Sequence, residues 1–391
     1  MTLTTDNPVR VGEATRIEHA TALWSGLLAI AGLWWWLNPS SYPLGRDSDG
    51  AGMSLVAWIP ATAAGPILVA LGLVGLVTAL AMRRHQPSPV VRRLVVSSGV
   101  GFSLVFLLVV PDLRILVTMG YASALLGPPA ILGMIAAGAR KNPRNGALLG
   151  VLVVLIGIAL WVFGADLGTF TEFGRGLGQG LARSGPAMLV IAGAFAGGAL
   201  WLLSVLRFRR REHDRCLRCG RPGPRWMTAE ASRGWGTWVT VAAALGPLPY
   251  GLSRMTWFTP WPYIVDHAEL VANPALRIFG LSLGLAAIGG SVLTIGLIRP
   301  WGAIFPRWLP VLRGRAVPVL PPTIAALVVA GAVTIAGRST LQQVYAGDGF
   351  GLPDVEMLLL LPFPVWGPLL AAAAVAYYLR RRGHCPHCDA A

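Results

Sequence analysis

Long apolar runs separated by short polar connections set the pattern of this chain. The runs fall at 20–37, 53–82, 94–110, 115–139, 147–164, 186–206, 235–253, 276–298, 321–337 and 355–379. Each is near or above the ~20 residues with which a helix crosses a bilayer, so the pattern predicts an all-α, polytopic transmembrane helical bundle of about ten spans. The third and ninth runs are short, and the second is long enough to tilt or to kink at Pro60 and Pro66. The stretch Gly246-Pro-Leu-Pro-Tyr250 interrupts the seventh. A proline kink is the simpler reading, and freed carbonyls lining a wet cavity are the alternative. The chain thereby divides into a six-span bundle (1–206), an Arg-rich cytoplasmic loop (207–234), a four-span bundle (235–379) and a cytoplasmic tail (380–391).

Composition agrees, with 54% hydrophobic and 13% charged residues, where a soluble domain has about a quarter charged. The formal charge of +15 does not call for nucleic acid, because arginines collect on cytoplasmic loops during membrane insertion. With the N-terminus inside, 25 of the 32 lysines and arginines fall on cytoplasmic segments, which predicts N-in, C-in topology and an inner face on anionic headgroups. The first eighteen residues hold Asp6, Arg10, Glu13, Arg16 and Glu18 and no apolar core, so the first span is expected to act as its own insertion signal. Trp34, Trp35, Trp36, Trp257 and Trp261 fit an outer aromatic belt. The Gly-rich stretch 174–180 reads as an outer flexible or interfacial loop.

Two connections stand out. Around Pro111-Asp112-Leu113-Arg114 the outer turn falls either at 111–114, with Asp112 and Arg114 at the headgroups, or at 120–121, with both inside the membrane. Pro then Asp opening a helix is common cap chemistry and favours the first; an intramembrane ionisable pair would mark a functional site. The loop 299–318, with four prolines, two tryptophans and four arginines, cannot form a regular helix. It is expected to lie along the inner surface, its arginines on lipid phosphates.

The set Pro111-Asp112-x-Arg114, the loop W-G-x-x-F-P-R-W-x-P-x-L-x-G-R-x-V-P over 301–318, and the closing Y-L-R-R-R-G-x-C-x-x-C resembles a family of polytopic membrane proteins from high-GC Gram-positive bacteria. The resemblance implies a multi-pass protein of a bacterial plasma membrane and carries no activity with it.

All four cysteines lie in two C-x-x-C pairs, Cys216 with Cys219 and Cys385 with Cys388, each preceded by arginines and a histidine. A cytoplasmic location keeps thiols reduced. Two such knuckles can together supply the four thiolates of a tetrahedral structural Zn²⁺, the nearby arginines helping to hold them deprotonated. The long separation means that the site forms only if the sixth and tenth spans bring their inner ends together. Uncoordinated thiols and a redox or regulatory metal are the alternatives. Cys385-Pro-His-Cys388 has the letters of an oxidising thioredoxin-type site, but no βαβ context surrounds it. His384 and His387 could also serve as ligands, whereas His213 reads as solvated.

For catalysis, the best cluster is on the outer side: Asp266 and His267, with Glu269, Arg254, Asp112 and Arg114 as further candidates for an acid/base or cation site. No G-x-S-x-G, H-E-x-x-H or P-loop occurs, and the single lysine is Lys141. Three functions remain in view. They are a non-enzymatic scaffold or sensory protein whose zinc-clipped cytoplasmic face meets a protein partner, a transporter using the broken seventh span, and a membrane-embedded enzyme at the outer cluster. The first is favoured, because the spans carry few polar residues to line a path.

Overall fold

The computed structural model describes residues 8–45, 54–84, 87–139, 167–217, 219–306, 313–346 and 352–383, with Cys385, Cys388 and short helical pieces within 146–158. The expected fifth span lies largely outside these residues, as do His384 and His387. Among the described residues the fold is helical, and the β-type pairing is an isolated antiparallel bridge between Ile304 and Ala316.

The chain opens with α1 (Pro8–Leu37). Helix α2 (Ala61–Ala81) begins directly after Pro60, so this proline starts the helix that it was expected to kink. Helix α3 (Pro89–Leu104) is capped by Ser88, whose hydroxyl accepts from the Val91 amide at 3.4 Å. It runs on as a π turn, Val105–Val109. Helix α4 (Arg114–Ala139) follows. Helix α5 (Leu167–Glu212) has 46 residues, roughly 70 Å at 1.5 Å per residue. The Gly-rich stretch 174–180 is therefore helix and not a loop. Closing every backbone hydrogen bond internally outweighs the ~1 kcal/mol that each glycine costs a helix.

Thr228 caps α6 (Ala229–Leu245), and the chain breaks at Gly246-Pro247 before α7 (Leu248–Met255). Then come α8 (His267–Ala272), α9 (Pro274–Gly296), α10 (Leu320–Ala346), α11 (Leu352–Leu360) and α12 (Phe363–Arg381). Among the described residues, seven stretches are long and apolar enough to cross a membrane: Arg16–Leu37, Ala61–Ala81, Pro89–Val109, Ala182–Glu212, Pro274–Gly296, Leu320–Tyr345 and Asp354–Arg381. The seventh run drops out because the break at Gly246-Pro247 leaves α6 only 17 residues long.

The chain gathers into two compact units, Met1–Ile115 with Ser184–Arg225 and Arg382–Ala391, and Leu116–Arg183 with Trp226–Arg381. These differ from the linear division in the sequence, since loop residues through Arg225 and the tail both join the first unit. In the first unit α1 and α2 approach backbone to backbone: a Cβ on Gly72 would lie 2.5 Å from the Ala29 amide nitrogen. Small residues allow such contact, which is how helices associate where lipid is as apolar as the side chains. The core is aromatic. Phe102 stacks on Trp201 at 4.6 Å, and Trp24 meets Phe106 edge-on at 4.7 Å. A buried hydrogen bond, Thr21 to Ser204 at 2.8 Å, ties α1 to α5.

The second unit packs α12 against α10 and α6. The described part of its loop 299–318 folds back on itself. It turns through Pro300–Gly302, pairs Ile304 with Ala316, and is held by the last turn of α12. Tyr377 donates to the Gly302 carbonyl at 2.9 Å, Arg381 to the carbonyls of Gly302 (3.1 Å) and Ala303 (3.3 Å), and Arg380 to that of Leu297 (3.0 Å). Residues 307–312 of this loop lie outside the described residues, while Arg313 and Arg315 are exposed.

Candidate metal centre

The centre follows directly on the last turn of α5, which is anchored to the end of α2 and to α1. Arg211, in the last turn of α5, donates to the Met82 carbonyl at the end of α2 and pairs with Glu18 of α1 at 3.7 Å. From that anchored end the chain turns sharply. The Arg215 amide bonds the Arg210 carbonyl at 2.8 Å, the Cys216 amide the Arg221 carbonyl at 2.9 Å, and the Gly220 amide the Cys216 carbonyl at 2.7 Å. This closes a knuckle around Cys216 and Cys219. Gly220 has φ +74°, a conformation that costs a residue with a Cβ. The second knuckle closes by the Cys388 amide to the Cys385 carbonyl at 3.3 Å.

The two knuckles come together. The sulfur atoms of Cys216, Cys219, Cys385 and Cys388 all lie within 4.8 Å of one another. Cys216 and Cys385 are 4.0 Å apart, and Cys219 and Cys388 3.5 Å. A tetrahedron of thiolates at a Zn–S distance of ~2.3 Å has edges of about 3.8 Å, so both contacts fall close to what the ion requires. Among the described residues these four are the one group of three or more His, Cys, Asp or Glu side chains gathered closely enough to hold a metal.

Arginines lock the knuckles, and they do so through carbonyl groups. Arg210 donates to the Leu217 carbonyl at 2.9 Å. Across the two segments the bonds are reciprocal: Arg221 of the loop donates to Gly383 of the tail at 2.9 Å, and Arg382 of the tail to Cys219 of the loop at 3.0 Å. This clasp was not foreseen. Its only sequence signal is the recurrence of arginine beside both pairs, which reads equally well as lipid contact. Burial pushes the Cys219 thiol up to about 12, a hydrogen bond with the Arg221 backbone opposes the rise, and hydrogen bonding with the other cysteines adds to it. Cys219 and Cys385 are buried, Cys216 is half-buried and Cys388 exposed. His213 is exposed, in keeping with a solvated role.

Of the other candidate residues, Asp112 and Arg114 lie in the first unit and Arg254, Asp266, His267 and Glu269 in the second. In the first unit, Asp112 lies between the π turn and α4 and Arg114 opens α4, so the helix break falls at 110–113. They are buried all the same, at 0% and 8% exposure. The Asp112 carboxylate accepts from the Arg114 backbone amide at 3.0 Å and from its guanidinium at 2.6 Å, so each charge meets its counter-charge locally. In the second unit Arg254 stacks on Trp257 at 4.0 Å and on Tyr250 at 4.8 Å. Trp257 is 3% exposed and its indole donates to the Tyr263 carbonyl at 3.1 Å. It therefore belongs to the core of the unit and not to an aromatic belt, whereas Trp34, Trp36 and Trp261 are exposed. Asp266, His267 and Glu269 are exposed at the start of α8.

Comparison with known proteins returns no match, whether to a family model, a curated protein or a solved structure.

Proposed function

We propose that this is a non-enzymatic integral membrane protein, a scaffold or sensory component, in which a structural Zn²⁺ clips the tail 382–391 to the loop after α5. The observation that carries the reading is the convergence of four cysteine sulfurs within 4.8 Å. Tetrahedral sulfur sites suit zinc or iron, and zinc, which has no redox chemistry, suits a purely structural clip. The proposal includes about ten spans, N-in and C-in topology, and a bacterial plasma membrane whose anionic inner leaflet receives exposed arginines such as Arg313 and Arg315. The clipped face would offer a partner protein a surface whose shape depends on bound metal.

The test is to strip metal from detergent-purified protein with a chelator and follow proteolysis of the tail and alkylation of its thiols. Both should rise on stripping and fall when Zn²⁺ is restored; a tail equally protected with and without metal would refute the clip. Topology is read separately in intact cells. An impermeant thiol reagent should leave Cys388 unlabelled, and labelling from outside would overturn the inner placement.

One observation favours transport as a second reading. In the second unit two helices break at prolines, at Gly246-Pro247 and at Leu361-Pro362, and the outer pieces α7 and α11 border a groove of about 530 Å³. Pro249, Ser253, Tyr263, Glu356 and Leu359 are among its lining residues. Broken helices around a cavity are the usual form of a solute site. Solute-dependent thermal stabilisation that Glu356→Gln removes would favour this reading over the scaffold.

A further inference from the structure

The four sulfurs are not equivalent, and their arrangement bears on oxidation. Cys388 alone is exposed, and its neighbour at 3.5 Å is the buried Cys219 of the other segment. The remaining pair, Cys216 and Cys385, is 4.0 Å apart and also crosses between loop and tail. We propose that Cys388 is a modification site for hydroperoxides and that Cys219 resolves it, so oxidation replaces the metal clip with a covalent Cys219–Cys388 bridge between loop and tail. The inference rests on the zinc reading for the starting state and goes beyond it in naming what the site responds to.

The chemistry balances with a hydroperoxide as the sole oxidant. The Cys388 thiolate attacks the terminal peroxide oxygen; an S–O bond forms, the O–O bond breaks, and the departing alkoxide takes a proton from solvent. Cys388 is then a sulfenic acid. The Cys219 thiolate attacks that sulfur, the S–S bond forms, the S–O bond breaks, and hydroxide leaves to be protonated to water. Two electrons have passed from the two sulfurs to the peroxide. Two of the four ligands are gone, and the divalent ion leaves. The first attack falls on Cys388 because access governs which thiolate meets the oxidant, and the second on Cys219 because that sulfur lies 3.5 Å away and the arginine clasp holds its segment beside the tail. A bond within either C-x-x-C pair would free the tail, whereas the crossed bond keeps it docked. The site thus converts a metal-dependent contact into a redox-dependent one.

The experiment uses full-length, reduced protein in detergent, treated with hydrogen peroxide. Metal release is read with a chromogenic chelator and disulfides by peptide mass spectrometry, which is unambiguous because the chain has four cysteines. The expected first product is the Cys219–Cys388 disulfide, formed in step with metal release. A first disulfide between Cys216 and Cys219 or between Cys385 and Cys388 would overturn the proposal. Because Cys388→Ser also removes a metal ligand, chelator-stripped wild type is oxidised in parallel. There the same crossed disulfide should be the first product, and a different pairing again counts against the proposal. Protein that holds no metal as purified yet forms the crossed bond would refute the zinc reading and leave the redox pairing standing.

Discussion

The segments that follow α5 and α12 read almost alike, each passing from arginines through a histidine to C-x-x-C, yet they are used differently. After α5, Arg210 and Arg211 secure the chain within the first unit, to Leu217 in the knuckle and to Met82 and Glu18 beside it. After α12, three successive arginines divide their work. Arg380 and Arg381 bind the 297–303 stretch in the second unit, and of the three only Arg382 bonds to the cysteine cluster, at the Cys219 carbonyl. A shared motif therefore conveyed the shared chemistry, the paired cysteines. It did not convey where each guanidinium would find its acceptors, which depends on which carbonyl groups the local turns leave unpaired.

The largest effect that would break this comparison comes from the cysteines. Replacing either pair, Cys216 and Cys219 or Cys385 and Cys388, by serine should abolish metal binding to the same extent and lower the melting temperature of the metal-loaded protein to that of the stripped one. Two separate sites would instead lose half each. Next come the reciprocal arginines. Arg382→Ala or Arg221→Ala should weaken zinc affinity by roughly 10–100-fold, the usual cost of losing groups that orient metal ligands, measured by competition with a chromogenic chelator. Arg381→Ala supplies the contrast. It removes donors to Gly302 and Ala303, carbonyls that keep the Tyr377 hydroxyl and the Val317 amide as donors, so the loss is the net value of the hydrogen bonds removed, about 1 kcal/mol each. Thermal stability should fall while zinc affinity stays unchanged, and a drop in affinity as large as that of Arg382→Ala would erase the distinction. The smallest effect lies in the second unit, where contacts rest on ordinary hydrogen bonds. Tyr263 donates to Glu356, and that bond raises its pKa; Glu356→Gln should bring its ionisation back towards 10.0, as followed by ultraviolet difference titration.

Much of this was legible in the chain. Apolar runs located most helices, and the four cysteines in two pairs located the centre, because both signals depend on residue type and spacing alone. The break at Gly246-Pro247 was legible for the same reason, proline being unable to donate a backbone hydrogen bond. What escaped depended on partners far away in sequence. The helical run through 174–180 contains glycines that composition assigns to a loop. Trp257 looked interfacial until Arg254 and Arg277 were seen on its ring and carbonyl. Asp112 and Arg114 showed their pairing potential, but not that both would be buried. The clasp of Arg221 on Gly383 spans more than 160 residues, and no local pattern encodes it.

The central claim is that one metal joins the loop and the tail, and metal stoichiometry of freshly purified protein tests it most directly. Elemental analysis should find about one zinc per chain in the wild type, the occupancy of a four-thiolate site, and none in Cys385→Ser. Wild-type protein without stoichiometric metal, or a Cys385→Ser variant that retains it, would contradict the account.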